Sequence, residues 1–171
     1  DGYEISTLAR TPLEKKVETL EWDVESAQKK GYDHFMMKEM MEIPETIENT
    51  LRGRLLPKEG DVKLGGLRDV LPRIRDAKRI MITACGSASY AGRVGELLLE
   101  EFAGIPVEVE LGSELRYRRH TMDPKETVLL AISQSGETLD TIEAVREAKR
   151  HGVLTLGIVN VVGSSIARET T

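Results

Sequence analysis

A single cysteine, Cys85, occurs in 171 residues. That excludes an internal disulfide and a cysteine-rich metal site, and it fits a reducing cytoplasm. No apolar run approaches the length of a membrane span, and the N-terminus has no signal-peptide core. The chain has no glycine loop ending in Gly-Lys-Ser/Thr. It also has no Gly-x-Gly-x-x-Gly after its first buried strand, so the common nucleotide cradles are missing. Internal repeats and low-complexity segments are absent. Net charge is -5, which argues against non-specific nucleic-acid binding but leaves room for a local pocket that takes a phosphate. The apolar fraction of 40% and the charged fraction of 31% are those of a soluble globular domain with a sizeable core. The first residue is Asp1, not Met, and Ser164 to Glu169 read as the start of a helix that Thr171 would cut short. Both features raise the expectation of a piece of a longer protein.

The pattern along the chain changes near Arg79. Before it, Asp1-Gly2 with Tyr3 and Ile5 reads as a turn into a short strand. Val17, Leu20 and Trp22 lie in a stretch that is either strand or extended linker. Met36, Met40, Ile43, Ile47 and Leu51 then recur at helical spacing. Pro44 predicts a kink there, or two helices meeting. The methionine run Met36, Met37, Met40 and Met41 is expected to fill core gaps. Leu67, Val70, Leu71 and Ile74 form a second helix face. After Arg79, short apolar runs alternate with helical patterns. The strands are expected near Ile80–Ala84, Val107–Glu110, Val128–Ile132 and Leu154–Val159. Val94, Leu97, Leu98 and Phe102 mark the first intervening helix, ended by Gly104 and Pro106. Leu139, Ile142, Val145 and Ala148 mark another, closed by Gly152. This alternation predicts a doubly wound, flavodoxin-like α/β fold with a parallel sheet covered on both faces.

In such sheets ligands sit at the carboxyl ends of the strands, which selects two loops. Ser133-Gln134-Ser135-Gly136-Glu137-Thr138 joins a buried strand to a helix. It offers three hydroxyls and an amide, a glycine that permits close backbone approach, and the free N–H groups of a helix start. Together these make a phosphate cradle that needs no lysine. Ordinary capping by Ser135 or Thr138 uses one hydroxyl, and the loop has three. The second loop is Cys85-Gly86-Ser87-Ala88-Ser89. Here Gly86 permits close approach, and Ser87 or Ser89 either caps the helix or meets a sugar hydroxyl. Cys85 reads as a small packed residue, since no histidine lies near it in sequence to activate it. Glu110 sits where a dinucleotide fold holds a ribose, without the glycine fingerprint that would go with it. His34, His120 and His151 are scattered and read as surface or satisfied histidines. The basic run Arg116-Tyr117-Arg118-Arg119-His120 reads as a solvated or subunit-facing loop. No cofactor or metal is expected.

The pair of motifs SQSGET (Ser133 to Thr138) and ACGSASYAG (Ala84 to Gly92) resembles the isomerase half of the glutamine–fructose-6-phosphate aminotransferase (isomerizing), or glucosamine-6-phosphate synthase, family. Gly31-Tyr32-Asp33-His34-Phe35-Met36-Met37-Lys38-Glu39 is similar to the segment between that family's glutaminase and isomerase domains. Ala103 to Pro106 and Ser113 to Arg118 agree as well, so the resemblance covers nearly the whole chain. SQSGET alone would indicate only the wider sugar isomerase (SIS) family. The resemblance implies residues 1–30 as the tail of the glutaminase domain and linker, 31–78 as a helical lead-in, and 79–171 as the first SIS subdomain. It implies an enzyme that converts fructose 6-phosphate and glutamine to glucosamine 6-phosphate and glutamate, in a cytoplasmic homodimer. By the same resemblance Ser133, Gln134, Ser135 and Thr138 bind the sugar phosphate, and Cys85, Gly86, Ser87 and Gly136 line the pocket. The family often has a serine where this chain has Ala88, so one hydroxyl contact is absent while backbone N–H groups remain. The family's isomerase base, ring-opening histidine and lysine lie beyond Thr171, so the 171 residues alone are expected to be inactive. Two other classes compete. One is a non-catalytic SIS module that senses a sugar phosphate, and the other is a Rossmann-type dehydrogenase.

Overall fold

The computed structural model describes residues 4–14, 28–118 and 121–171. Tyr3, the stretch with Val17, Leu20 and Trp22, and Arg119 and His120 lie outside them. The chain divides into two compact units, residues 1–63 and 64–171.

In the first unit, Ser6 and Pro12 form an isolated antiparallel bridge, and Leu13 N–H donates to the Ile5 carbonyl at 2.8 Å. Helix α1, Phe35–Leu51, is one continuous helix with Pro44 inside it. The expected junction of two helices at Pro44 does not occur. A proline costs one backbone bond and crowds the turn before it, but its fixed φ is helical. Beyond Pro44, the Thr46 and Thr50 hydroxyls donate back to the carbonyls of Glu42 and Thr46, at 3.0 and 2.8 Å. The methionine run is not core. Met36, Met37, Met40 and Met41 are all exposed, along with Phe35, Ile43 and Ile47. Apolar spacing fixes a helix face but not what covers it. A small hairpin follows, in which β1, Leu55–Leu56, pairs antiparallel with β2, Asp61–Val62.

The second unit begins with a 3-10 turn, Gly65–Val70, and α2, Leu71–Asp76. The expected single helix face over Leu67 to Ile74 is thus split. Pro72 falls in the first turn of α2, where its missing N–H costs nothing. The sheet contains β3 (Arg79–Ala84), β4 (Val107–Leu111), β5 (Thr127–Ser133) and β6 (Leu154–Val159). Its order is β4-β3-β5-β6, and every pairing is parallel. The strands lie where their apolar runs place them. Helices α3 (Ser87–Ala103), α4 (Gly112–Tyr117), α5 (Leu139–Arg150) and α6 (Ser165–Glu169) alternate with them.

Successive side chains of a strand face opposite sides. Met81, Leu129 and Ala131 therefore share a core with Leu115 of α4, Ile142, Val145 and Ala148 of α5, and Ile166 of α6. On the other face Val128 and Leu130 pack with Leu67, Val70 and Ile74. Helix α3 lies on this second face. A Cβ built on Gly92 would meet Ile82 Cγ2 at 3.0 Å, Val109 Cγ1 at 3.4 Å and Ile132 Cδ1 at 3.7 Å. The helix rests on the sheet through small residues, with Ser89 and Gly92 buried. Its large apolar residues, Val94, Leu97, Leu98 and Phe102, are 49–79% exposed. Helix α6 ends at Glu169, inside the chain, and Thr171 N–H donates to the Thr155 carbonyl of β6 at 2.9 Å.

Candidate functional site

The order β4-β3-β5-β6 reverses direction between β3 and β5. From β3 the chain passes through α3 on one face. From β5 it passes through α5 on the other. At such a reversal the connections part and leave a crevice beyond the strand ends. Ala84 and Ile132 are register partners, so the loops that follow β3 and β5 stand side by side at that crevice. These are the loops 85–89 and 133–138. The structure thus brings Cys85, Gly86, Ser87, Ser133, Gln134, Ser135, Gly136 and Thr138 to one edge of one sheet.

The loop after β5 is shaped mainly from within. The Gly136 N–H donates to the buried Ser133 hydroxyl oxygen at 3.0 Å, and the Glu137 N–H donates to Ser135 Oγ at 3.2 Å. Gly136 has φ +68°, a region that costs a residue with a side chain about 1–2 kcal/mol. Thr138 is the N-cap of α5, yet its side chain makes no capping hydrogen bond. Simple capping therefore does not account for the Thr138 hydroxyl. The first-turn N–H groups of α5 have no intrahelical acceptor, by the geometry of any helix start. Gln134 is exposed, while Ser135 and Thr138 are half-buried. An exposed amide, two half-buried hydroxyls and the N–H donors of a helix start thus lie together at this strand end.

The loop after β3 is turned by Gly86, whose φ of +58° and ψ of −138° suit only glycine. The Ser89 hydroxyl is buried and donates to the Gly86 carbonyl at 2.7 Å, so it is spent on the turn. Ser87 stays exposed at the crevice. Cys85 is half-buried and accepts from the Thr141 hydroxyl, Oγ1 to Sγ at 3.6 Å. That bond ties the first turn of α5 to the neighbouring loop. Thr141 is fully buried, and sequence reading missed its role because the contact is tertiary.

Two further loop residues are held from the β6–α6 turn. The Ser165 N–H donates to Glu137 Oε1 at 2.8 Å, and the Ile166 N–H donates to the Gly136 carbonyl at 2.9 Å. The Ser165 hydroxyl and N–H, helped by the Arg168 charge, hold the Glu137 carboxyl below the usual carboxylate range. Sequence reading also missed Ser164 and Ser165, which follow the motif only after a helix and a strand. Other expected features make their own pairings. Glu110 is paired with Arg118 at 2.5 Å. Arg116 lies 3.7 Å from Asp140 and over the Tyr117 ring. Arg116 and Arg118 of the basic run thus make ion pairs within this unit. His34 precedes α1, and His151 ends α5 beside Glu147.

The sequence pattern of the SIS domain matches residues 73–171. Over 170 residues the chain is 49% identical to a glutamine–fructose-6-phosphate aminotransferase [isomerizing] of Chlorobaculum tepidum, covering 99% of this chain and 28% of that one. A Thermus thermophilus protein of the same name is 46% identical, with 99% and 27% covered. The chain therefore spans little more than a quarter of the length of these curated relatives. Among solved structures, the C-terminal domain of glucosamine-fructose-6-phosphate aminotransferase from Francisella tularensis superposes with TM-score 0.74 at 37% identity, over 84% of this chain and 39% of that one. The tagatose-6-phosphate ketose/aldose isomerase of Escherichia coli, at 16% identity and TM-score 0.55, shares the fold over 72% of this chain and 32% of that one.

Proposed function

The chain belongs to the SIS domain family, and from that premise we propose that its two crevice loops hold the phosphate of a hexose 6-phosphate. The proposed parent is the cytoplasmic enzyme that makes glucosamine 6-phosphate from fructose 6-phosphate and glutamine. One observation carries the reading. At the reversal of the sheet, the start of α5 presents N–H donors and a Thr138 hydroxyl that makes no capping bond. Phosphate is the ligand such a helix start favours, through its amides and its dipole. In this reading Ser133, Gln134, Ser135 and Thr138 contact the phosphate, and Cys85, Gly86, Ser87 and Gly136 wall the pocket.

The chemistry of isomerisation needs a base that moves a proton between adjacent carbons. We assign that base, and the glutaminase partner domain that supplies ammonia, to the rest of the parent chain. Residues 1–30 are read as the end of the glutaminase domain and linker, 31–78 as the lead-in, and 79–171 as the first SIS subdomain. A homodimeric parent is supported by the outward apolar face of α3, where Val94, Leu97, Leu98 and Phe102 are all exposed.

Calorimetry on the full-length parent tests the phosphate site. A hydrogen bond to a charged group contributes about 1.5–3 kcal/mol, so Thr138→Ala is expected to weaken fructose 6-phosphate binding roughly tenfold or more. Its stability should stay near that of the parent, because the hydroxyl caps nothing. Ser135→Ala should weaken binding similarly. Unphosphorylated fructose should bind far more weakly than fructose 6-phosphate. Equal affinity for the two sugars, or unchanged affinity in both variants, would place the phosphate elsewhere. Binding without any turnover by the full-length protein would favour a sensing module.

A further inference from the structure

The Glu137 carboxylate is the exposed acid inside a loop read as a phosphate cradle, where a negative charge should repel the ligand. Its placement explains why it is tolerated. It points to the β6–α6 turn and accepts the Ser165 N–H at 2.8 Å. Beside it the Gly136 carbonyl accepts the Ile166 N–H at 2.9 Å. Gly136 also packs against Ser164, whose Cβ would lie 2.5 Å from a Cβ built on the glycine. Consecutive residues of the loop are thus seated on consecutive residues of the turn. The turn is itself braced, since Arg168 donates to the Gly163 carbonyl and, at 3.3 Å, to Ser165 Oγ.

We propose that Glu137 is a positioning residue that clamps the loop 133–138 onto the turn 163–166, fixing the donors of Ser135 and Thr138 without touching the phosphate. This inference rests on the phosphate reading of the same loop. The loop's own bonds, Gly136 to Ser133 and Glu137 to Ser135, set its local curl. They do not set its height above the sheet edge, which the contacts to residues 164–166 do. In this view the sugar-phosphate site is shared by two successive strand–helix connections, and the second acts only as a support.

The test measures fructose 6-phosphate affinity of the full-length parent by calorimetry and its KM and kcat by turnover. Glu137→Ala should weaken binding about tenfold and raise KM, with kcat nearly unchanged, as expected for lost ground-state positioning. Glu137→Gln keeps an acceptor for the Ser165 N–H and should restore most of the affinity. Ser165→Pro removes the donor from the other side at the first position of α6, where proline is tolerated. It should weaken binding to a similar degree, and the two losses should not add. Glu137→Ala binding as well as the parent, or more tightly, would overturn the clamp and leave a merely repulsive charge. Additive losses in the double variant would also overturn it. If Glu137→Ala has no effect while Ser135→Ala weakens binding, only the clamp fails. If neither variant affects binding, the phosphate reading fails with it.

Discussion

Gly136→Ala is expected to cost the full-length parent about hundredfold or more in affinity for fructose 6-phosphate, the largest binding effect of any single change in the loop. Two costs combine. The φ of +68° penalises any side chain by about 1–2 kcal/mol. The new Cβ would also lie 2.5 Å from Ser164 Cβ and 2.7 Å from Val159 Cγ1, well inside van der Waals contact. Neither neighbour can retreat easily, since Val159 ends β6 and Ser164 is buried at the start of α6. The loop must therefore lift, and Ser135 and Thr138 go with it. Adding Ser164→Gly should recover part of the loss, because it removes one of the two walls but not the φ penalty. Calorimetric titration of the single and double variants checks both points. Binding within about threefold of the parent in Gly136→Ala would show that the loop adapts freely.

Gly92→Leu is expected to give the largest stability loss, about 2–3 kcal/mol in urea unfolding of the isolated chain. The first added carbon is already at 3.0 Å from Ile82 Cγ2, and three more must fit between α3 and β3. Gly92→Ala should fall near zero, since a helical glycine replaced by alanine gains about 1 kcal/mol of propensity against that tight contact. Phe102→Ser, on the outer face of the same helix, should stay within about 0.5 kcal/mol. The reverse order, with leucine tolerated at 92 and serine costly at 102, would mean that α3 meets the sheet through its apolar stripe.

That contrast shows where the sequence was informative. Three strands of the sheet, β3, β5 and β6, are legible as short, largely apolar runs, and β4 as Val107 and Val109 alternating with Glu108 and Glu110. The helix between β3 and β4 is legible too, but its orientation is not. Val94, Leu97, Leu98 and Phe102 recur with the spacing of a buried face whatever lies over them. The actual contact is made by Ser89 and Gly92, with Gly95 three residues on, where an added Cβ would lie 3.8 Å from Ile82 Cδ1. Small residues at that spacing were a readable sign of close helix–sheet approach. Met36, Met37, Met40 and Met41 misled for the same reason, since periodicity reports a face and not its cover.

The two crevice loops were legible by position and by an excess of hydroxyls over what a cap requires. Their supports were not. Thr141 reaches Cys85 across the crevice, and Ser165 reaches Glu137 from beyond the next strand. Both contacts exist only once the sheet is assembled, so no local pattern encodes them. Pro44 left two outcomes open, a kink or two helices meeting, and of these the second does not occur, since a single proline removes only one backbone bond.

The strand order also sets the sequence in which the crevice can form. Joining β3 to β4 closes a loop containing α3 alone, whereas joining β3 to β5 must also enclose β4 and α4. The entropy of closure rises with the length enclosed. Parallel pairing across long connections is slow for that reason. As a chain emerges from the ribosome, β3 and β4 can pair while β5 is still being made. One side of β3 then stays an open edge of unpaired amides until β5 arrives. The crevice is completed by the arrival of β5 itself, so no ligand of the crevice can act as a template for the early sheet. Binding there can only hold together a sheet whose most distant pairing has already been made.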